Sequence, residues 1–548
     1  MKKPGGSDHD IYLVAQLAAA VSIASFFYYL RQGDLLLYGD AVAHINIARR
    51  VFDSRTPGLL QLGTVWLPLP HLLMLPFLFP RWLWQTGIGG SVPSMAAYVL
   101  SVAGVFRLMQ IILPTFREQR ERWGTQFAPW FAAAAFALNP NLIYLQTTAM
   151  TEPLYLVLFI WSLVFFVQAL RHCAAGVAEK GNSSLVWCGS CLVGACLTRY
   201  DGWLLAALIS IIAMQLAWLG NFAPLRPSVK KLVMLAAAGP MLWLAYNAVV
   251  YRNPLEFAYG PYSAKAIEQK TAVPGMPPHP GAHDLPVAFR YFFKSVQLNV
   301  AEGKAQVLWV LALLFGTAVV LFFQRKLWPL LLLWTPVPFY MLSIAYSGVP
   351  LFVPVWWPFS RYNLRYGIEM LPAFAVFTAV SAYGLIRFAA TTRVRIAIVL
   401  VFLLLVAGSY IQVFRTTPVS LQEAIVNSRT RIALETQLAS EFEKLPANST
   451  FLMYLGDHVG AFQQAVIPLV RVINEGNHRP WVHPSDPQGL WERALQHPAT
   501  YANFVITFDS DVAAQSVQKN ELSPLAILRV TGQPEAIIYR TLKSNHAR

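Results

Sequence analysis

The chain has 548 residues, of which 56% are hydrophobic and 13% charged, and its formal net charge is +15 at pH 7. Soluble domains carry about 25% charged residues, so this composition excludes an ordinary water-soluble protein and favours a polytopic helical membrane protein. We expect no nucleic-acid partner, because the positive charge forms no basic stripe with interleaved aromatic residues.

The first apolar segment, residues 11–30, is long enough to cross a bilayer and follows Lys2 and Lys3. No small-residue cleavage site follows it, so we expect an uncleaved anchor. The positive-inside rule then places the amino terminus in the cytoplasm and the next segment outside. Residues 31–93 are predicted to form one outer loop.

The start of this loop carries two ionisable side chains four residues apart. Asp40 and His44 lie at positions i and i+4 of a short predicted helix that follows Gly39, so they share one helical face. Two interpretations of Asp40 stay open. It is either an N-cap that accepts hydrogen bonds from the first free amides, or a functional carboxylate at the membrane surface.

The later part of the loop, residues 66–84, is apolar but carries Pro68, Pro70, Pro76 and Pro80. Prolines at this density do not continue one regular spanning helix. We therefore expect aromatic-rich helices that lie in the membrane interface. A true span here would invert the topology of everything downstream.

The remaining spans follow from hydropathy, and the first segment brings the total to about eleven. They fall near 94–114, 127–145, 154–170, 185–199, 203–219, 232–250, 306–323, 328–347, 368–386 and 396–414. All the short, charge-dense loops then lie on the inner side, as the positive-inside rule favours. Their basic residues are Arg117, Arg120, Arg122, Arg171, Lys180, Arg226, Lys230, Lys231, Arg325, Lys326, Arg387, Arg393 and Arg395. Residues 251–305 form a second long outer loop.

The composition changes near residue 418 to that of a soluble domain, which this topology places outside. A helix is predicted over 421–445, and short strands over 450–455, 503–508, 525–530 and 535–540. We therefore divide the chain into a transmembrane domain, 1–417, and a small extracytoplasmic α/β domain, 418–548.

Two further segments with ionisable side chains face outside under this topology. Thr151, Glu152 and Pro153 suit a helix start, so Glu152 has a structural interpretation as well as a functional one. Arg199 and Asp201 separate two apolar spans with almost no loop. They form either a structural ion pair or a functional site, and a guanidinium is suited to binding a phosphate.

The last candidate segment enters the late span from outside. Arg361 and Arg365 are four residues apart, as are Tyr362 and Tyr366. If the segment is helical, both guanidiniums share one face at headgroup depth and would bind an anion. The alternative is an interfacial anchor, a common role of Arg and Tyr.

The ordered set of these features resembles the GT-C glycosyltransferases, especially their protein O-mannosyltransferase and aminoarabinose transferase branch. The resemblance covers roughly residues 10–415 and implies a polyprenyl-phosphate-linked sugar donor used on the non-cytoplasmic face. The family's first-loop catalytic acid corresponds to Asp40, and its second-loop acid to Glu152, where Asp is the commoner residue. Its Pro-Pro-Leu-like stretch corresponds to residues 67–71, which makes His71 a candidate donor-binding residue.

The resemblance implies an inverting transfer in which Asp40 acts as base toward the acceptor hydroxyl. Arg199, Arg361 and Arg365, with Tyr362, would stabilise the departing polyprenyl phosphate. A divalent metal held by Asp40, Glu152 or His44 stays open. The expected location is the plasma (inner) membrane, in contact with its lipids.

Two other protein classes remain as alternatives: a transporter or flippase for lipid-linked sugars, and a non-catalytic membrane-assembly scaffold. A transporter usually shows two related halves, and this sequence has no internal repeat. The sequence does not identify the sugar or the acceptor, which is a protein, a lipid or a glycan.

Overall fold

The structure is a computed structural model that describes residues 7–113, 119–220, 222–271, 275, 277–456, 458–477, 487–509, 511–520 and 522–541. Three residues used in the topology prediction, Lys2, Lys3 and Arg117, lie outside these ranges.

Helices dominate the described residues, and most of them are long. In the first half of the chain the α-helices are Ser7–Gln32, Gly39–Arg50, Leu69–Met74, Arg81–Gln85, Ile88–Ile112, Gln119–Ala137, Pro140–Leu145, Glu152–Ala174, Ala178–Cys196, Asp201–Leu219, Arg226–Tyr251, Glu256–Tyr259 and Ala264–Thr271. In the second half they are Leu285–Val300, Ala305–Ala318, Pro336–Tyr346, Leu371–Phe388, Thr392–Arg415, Val419–Glu443, Gly460–Gln464, Leu490–Gln496, Pro498–Tyr501 and Val512–Asn520. The longer 3₁₀ segments are Arg325–Trp334 and Leu364–Met370.

Nine helical segments within the described ranges are long and apolar enough to cross a membrane. They are His9–Gln32, Ile88–Ile112, Glu152–Ala174, Asp201–Leu219, Ala223–Tyr251, Ala305–Phe323, Arg325–Tyr346, Leu364–Phe388 and Thr392–Glu443. The prediction of a polytopic helical membrane protein is confirmed.

The other two predicted spans are helical but differ from the prediction. The span 127–145 is wrong as a single helix, because the chain breaks between Ala137 and Pro140. Asn139 caps the second helix there, since its Oδ1 accepts from the backbone N–H groups of Asn141 and Leu142. Of the predicted span 185–199, residues 185–196 belong to the helix Ala178–Cys196, whose amino-terminal half is polar in sequence.

The proline-rich segment 66–84 contains no long helix, as its prolines predict. It divides into the helix Leu69–Met74, the 3₁₀ turn Leu75–Phe77 and the helix Arg81–Gln85. The prediction that no single span crosses here is confirmed at the level of secondary structure, and the interfacial location stays a prediction.

The chain packs as two compact units. The first comprises residues 1–32, 93–242 and 264–423, and the second comprises 33–92, 243–263 and 424–548. The domain boundary predicted near 417 stays a prediction.

In the first unit the most deeply buried candidate span is Leu364–Phe388, in which 94% of an apolar 18-residue window is buried. Gly316 of the helix Ala305–Ala318 lies against it. A Cβ atom at Gly316 would collide with the carbonyl oxygen of Phe377, so only glycine allows this approach of the two backbones.

The second unit contains a five-stranded sheet. Its strands are β1 (Phe451–Met453), β2 (Val472–Ile473), β3 (Phe504–Phe508), β4 (Ser523–Leu528) and β5 (Ala536–Arg540), in the order β2-β1-β3-β5-β4. β1 is parallel to β2 and β3, whereas β5 is antiparallel to β3 and β4. The four predicted strands are confirmed, and β2 was missed because two residues carry no periodicity.

Candidate functional site

The first unit contains a largely buried group of six charged side chains and one tyrosine, here called the arginine–carboxylate cluster. Its members are Glu152, Arg199, Asp201, Tyr340, Arg365, Glu369 and Glu423. Glu152 and Asp201 are the first residues of the helices Glu152–Ala174 and Asp201–Leu219, and Glu369 lies just before Leu371–Phe388. The cluster therefore lies where several long helices begin, and their positive ends favour carboxylates.

Arg199 is the centre of one half of the cluster. Its Nε lies 2.9 Å from Glu369 Oε1 and 3.2 Å from Asp201 Oδ2, and its Nη1 lies 3.5 Å from Glu152 Oε1. Its Nη2 donates to the Tyr340 hydroxyl at 2.7 Å, which in turn lies 2.8 Å from Glu369 Oε1. The predicted pairing of Arg199 with Asp201 is present, but it is one contact among several.

Arg365 is the centre of the other half. Its Nε donates to Glu152 Oε1 at 3.2 Å, and its Nη1 donates to Glu423 Oε1 at 2.9 Å. Glu423 also accepts from the backbone N–H groups of Asn363 and Arg365, at 3.0 and 3.2 Å. The two guanidiniums lie 5.2 and 5.1 Å from the ring centroid of Tyr366. Glu152 thus links both arginines through one oxygen atom.

Carboxyl groups outnumber guanidiniums in the cluster. Four carboxylates, those of Glu152, Asp201, Glu369 and Glu423, face two guanidiniums, and Glu152 and Glu369 are fully buried. Glu152 Oε2 and Glu369 Oε2 have no hydrogen-bond partner in the described part of the chain. Such a group accepts protons or hydrogen-bond donors, and it disfavours a second anion beside Arg199 or Arg365.

Arg361 and Arg365 do not share a helical face, so that prediction is wrong. The 3₁₀ segment begins only at Leu364, after Asn363 in the left-handed region with φ 57°. Tyr362 instead forms a bridge with Phe352, whose N–H donates to the Tyr362 carbonyl at 3.0 Å. Arg361 donates from Nε to Gln422 Oε1 at 3.1 Å, and the Tyr362 side chain is exposed.

The second unit holds the other candidates. The helix Gly39–Arg50 forms as predicted, but its N-cap is Tyr38, and Asp40 is its second residue. The N-cap interpretation of Asp40 is therefore wrong. A carboxylate in the first turn is favoured by the helix dipole and does not replace the cap.

His44 and His71 form a buried pair. His44 Nδ1 lies 2.9 Å from His71 Nε2, and the His44 ring lies 4.6 Å from the ring of Trp66. Burial lowers the pKa of His71 well below its usual value, and the nearby charges of His44 and Arg50 lower it further. His71 is thus neutral at pH 7, and the pair holds at most one positive charge.

The sequence candidates divide between the units. Glu152, Arg199 and Arg365 meet in the arginine–carboxylate cluster, with Arg361 and Tyr362 in the same unit. Asp40, His44 and His71 belong to the second unit. Within the described residues no group of three or more His, Cys, Asp or Glu side chains is arranged to hold a metal ion.

Sequence reasoning assigned no role to Glu369, Glu423 or Tyr340. Glu369 had a signal, because it is a carboxylate inside the apolar predicted span 368–386, where an ionisable group is a functional candidate by default. Glu423 lies in the predicted helix 421–445, where polar and apolar residues are interleaved, and Tyr340 lies in the apolar predicted span 328–347. Neither pattern distinguishes such residues from their neighbours.

No protein-family model matches the sequence, and no curated protein matches it. Its fold is similar to that of a solved structure, ArnT from Cupriavidus metallidurans bound to undecaprenyl phosphate, with TM-score 0.60 and 14% identity over 98% of this chain and 99% of that one. The apo state of ArnT gives a TM-score of 0.57 and 14% identity over 97% and 98% of the two chains. ArnT is an aminoarabinose transferase of the GT-C superfamily. At this identity the likeness shows the fold alone, and the expected fold, a polytopic helical membrane protein with a small carboxyl-terminal sheet region, is confirmed.

Proposed function

We propose that this chain is an inverting glycosyltransferase that moves a sugar from a polyprenyl-phosphate donor to an acceptor on the extracytoplasmic face of the plasma membrane. The observation that carries the proposal is the end-to-end likeness to ArnT, one of whose structures binds undecaprenyl phosphate. The position of Asp40 in the first turn of the helix Gly39–Arg50 adds a carboxylate suited to base catalysis.

Asp40 is proposed to act as the general base. The acceptor oxygen attacks the anomeric carbon, its proton passes to the Asp40 carboxylate, and the bond from that carbon to the phosphate oxygen breaks. The electron pair of that bond leaves with the polyprenyl phosphate. A positioned base contributes on the order of 10²–10⁴ in rate. His44, one helical turn after Asp40 and hydrogen-bonded to His71, would orient the acceptor beside it.

The basic residues take different parts in this proposal. Arg361, which donates to Gln422, and the exposed Tyr362 are proposed as contacts for the lipid phosphate. Arg199 and Arg365 already bind carboxylates and would have to exchange them for a phosphate.

Glu152, fully buried between these two arginines, is proposed as a positioning residue that fixes both guanidiniums. His71 is proposed to act through His44.

Replacement of Asp40 by Asn tests the proposal. The amide cannot take the acceptor proton, so turnover of a polyprenyl-phosphate sugar should fall by about 10²–10⁴. The loss of a charge in the first helical turn should cost only about 0.3–1 kcal/mol of stability. The measurement is turnover of the purified, well-folded protein beside its melting temperature.

The matched control is Asp34→Asn, which makes the same change in the same predicted loop and should keep turnover. Full turnover by Asp40→Asn would remove Asp40 from the mechanism. A wild-type protein that moves labelled lipid-linked sugar across vesicles without consuming it would instead favour the flippase alternative.

A further inference from the structure

A cavity of about 340 Å³ opens at one edge of the sheet in the second unit. Tyr454 and His458 follow β1, and Phe508, Asp509 and Asp511 end or follow β3; all five line the cavity. Its volume lies at the lower end of the range of about 300–1,000 Å³ that is typical of small-molecule sites. We call it the sheet-edge pocket.

The topology of the sheet explains why a crevice forms here. After β1 the chain enters the helix Gly460–Gln464, whose Phe462 packs on Phe451 at 5.3 Å between ring centroids. After β3 it enters the helix Val512–Asn520, whose Val517 packs with Leu452 and Val505. Phe451 and Leu452 are adjacent in β1, so their side chains point to opposite faces of the sheet. The two helices that pack on them therefore lie on opposite faces. Ligands of α/β sheets bind at the carboxyl ends of strands at such a switch point.

The polar groups of the pocket select the charge of a ligand. Asp509 Oδ1 accepts from the backbone N–H of Glu535 at 2.8 Å, and Asp511 Oδ1 accepts from that of Ala514 at 2.7 Å. Asp511 Oδ2 has no partner among the residues that the structure describes. Two carboxylates repel a phosphate or a carboxylate and attract hydrogen-bond donors.

The ring side chains of the pocket select the shape of a ligand. The His458 ring stacks on Phe508, with centroids 4.5 Å apart and an angle of 27° between the planes, and the Tyr454 ring forms another part of the wall. His458 and Phe508 are buried, whereas the Tyr454 ring is partly exposed. A partly exposed aromatic ring beside carboxylates matches a pyranose, whose C–H face packs on aromatic surfaces while its hydroxyls donate to acceptors. We propose that the sheet-edge pocket binds a carbohydrate unit, either a neutral sugar or an amino sugar. This binding goes beyond the proposed transfer reaction and does not depend on it.

Binding of monosaccharides to the full chain in lipid nanodiscs tests the inference. The probes are glucose, mannose, N-acetylglucosamine and glucosamine. The binding of each sugar is measured by saturation-transfer NMR and by titration. We expect at least one to bind, and Asp509→Asn combined with Asp511→Asn to weaken it about tenfold or more, since hydrogen bonds to charged groups are lost. Asn at 511 keeps the oxygen that caps the helix Val512–Asn520. Tyr454→Leu should weaken the same sugar, and Glu443→Gln, outside the pocket, should not.

The outcomes separate this pocket from the proposed transfer site. A sugar that binds the Asp40→Asn protein normally but is weakened in the pocket variants supports the inference, even if transfer activity is never observed. Binding of glucosamine alone supports it and narrows the ligand to amino sugars. The inference is overturned if none of the four sugars binds, or if every bound sugar is insensitive to the pocket variants while their melting temperatures match the wild type.

Discussion

His44 and His71 show how burial sets the chemistry of a residue. Their facing nitrogen atoms are 2.9 Å apart, so one hydrogen lies between them and one ring must accept it. Burial and the charges of His44 and Arg50 hold the pKa of His71 well below its usual value. The folded protein therefore disfavours a proton on His71 that the unfolded chain takes up below about pH 6.5.

This difference predicts a pH-dependent stability. The contribution of a neutral, buried His71 is fully present above about pH 6.5 and is lost as the pH falls, by about 1.4 kcal/mol per pH unit until the folded pKa is reached. His71→Gln keeps a polar partner for His44 but does not titrate. We expect its melting temperature to fall less between pH 7.5 and pH 5 than that of the wild type. Equal slopes for the two proteins would contradict the prediction.

Among individual residues, the sequence predicts features that depend on local signals but not those that depend on distant contacts. The spacing of Asp40 and His44 predicts their helix correctly, because glycine and the polar start are local signals. It does not identify Tyr38 as the cap. Arg361 and Arg365 do not share a helical face for a non-local reason: Tyr362, between them, forms an antiparallel bridge with Phe352, ten residues earlier, so the backbone there is not helical.

At the scale of elements, the arginine–carboxylate cluster joins helix starts that are far apart in the sequence. Topology predicts that Glu152, Arg199 and Arg365 lie at one membrane face, because each flanks an outer span end. It does not predict that Glu152 contacts both arginines, or that Glu369 and Glu423 complete the group. Those contacts depend on helix packing, which hydropathy does not encode.

Removal of one arginine should expose the energetic role of this cluster. Arg199→Gln would leave Glu152, Asp201 and Glu369 buried with fewer positive partners, and such a change costs about 3–5 kcal/mol. Arg199→Gln combined with Glu369→Gln should recover part of that loss, because one uncompensated carboxylate is removed. The measurement is the melting temperature in detergent.

The matched control for this prediction is Arg361→Gln, which replaces an arginine outside the cluster. We expect it to keep the melting temperature and to weaken use of the lipid donor. A melting temperature of Arg199→Gln equal to that of the wild type would mean that the cluster does not stabilise the fold.

At the scale of the whole molecule, the asymmetry of Arg and Lys among the loops predicts the orientation in the membrane. A reporter fused after Arg415 should be active only outside the cytoplasm, and one fused near Arg120 only inside. Activity of both reporters on the same side would contradict the interfacial interpretation of residues 66–84. The nine apolar helices establish the number of candidate crossings among the described residues, but not their direction.

The second unit is assembled from segments that leave the ribosome at very different times. Asn46 donates to Gln463 at 2.7 Å, and Asp53 accepts from the backbone N–H of Val470 at 2.9 Å, in each case across 417 residues. At about 5–20 residues per second, the early segment waits roughly 20–80 s for these partners. During biosynthesis residues 33–92 must therefore persist without these two hydrogen bonds until residues 463–470 have been made, and over that interval the segment is open to chaperones and proteases.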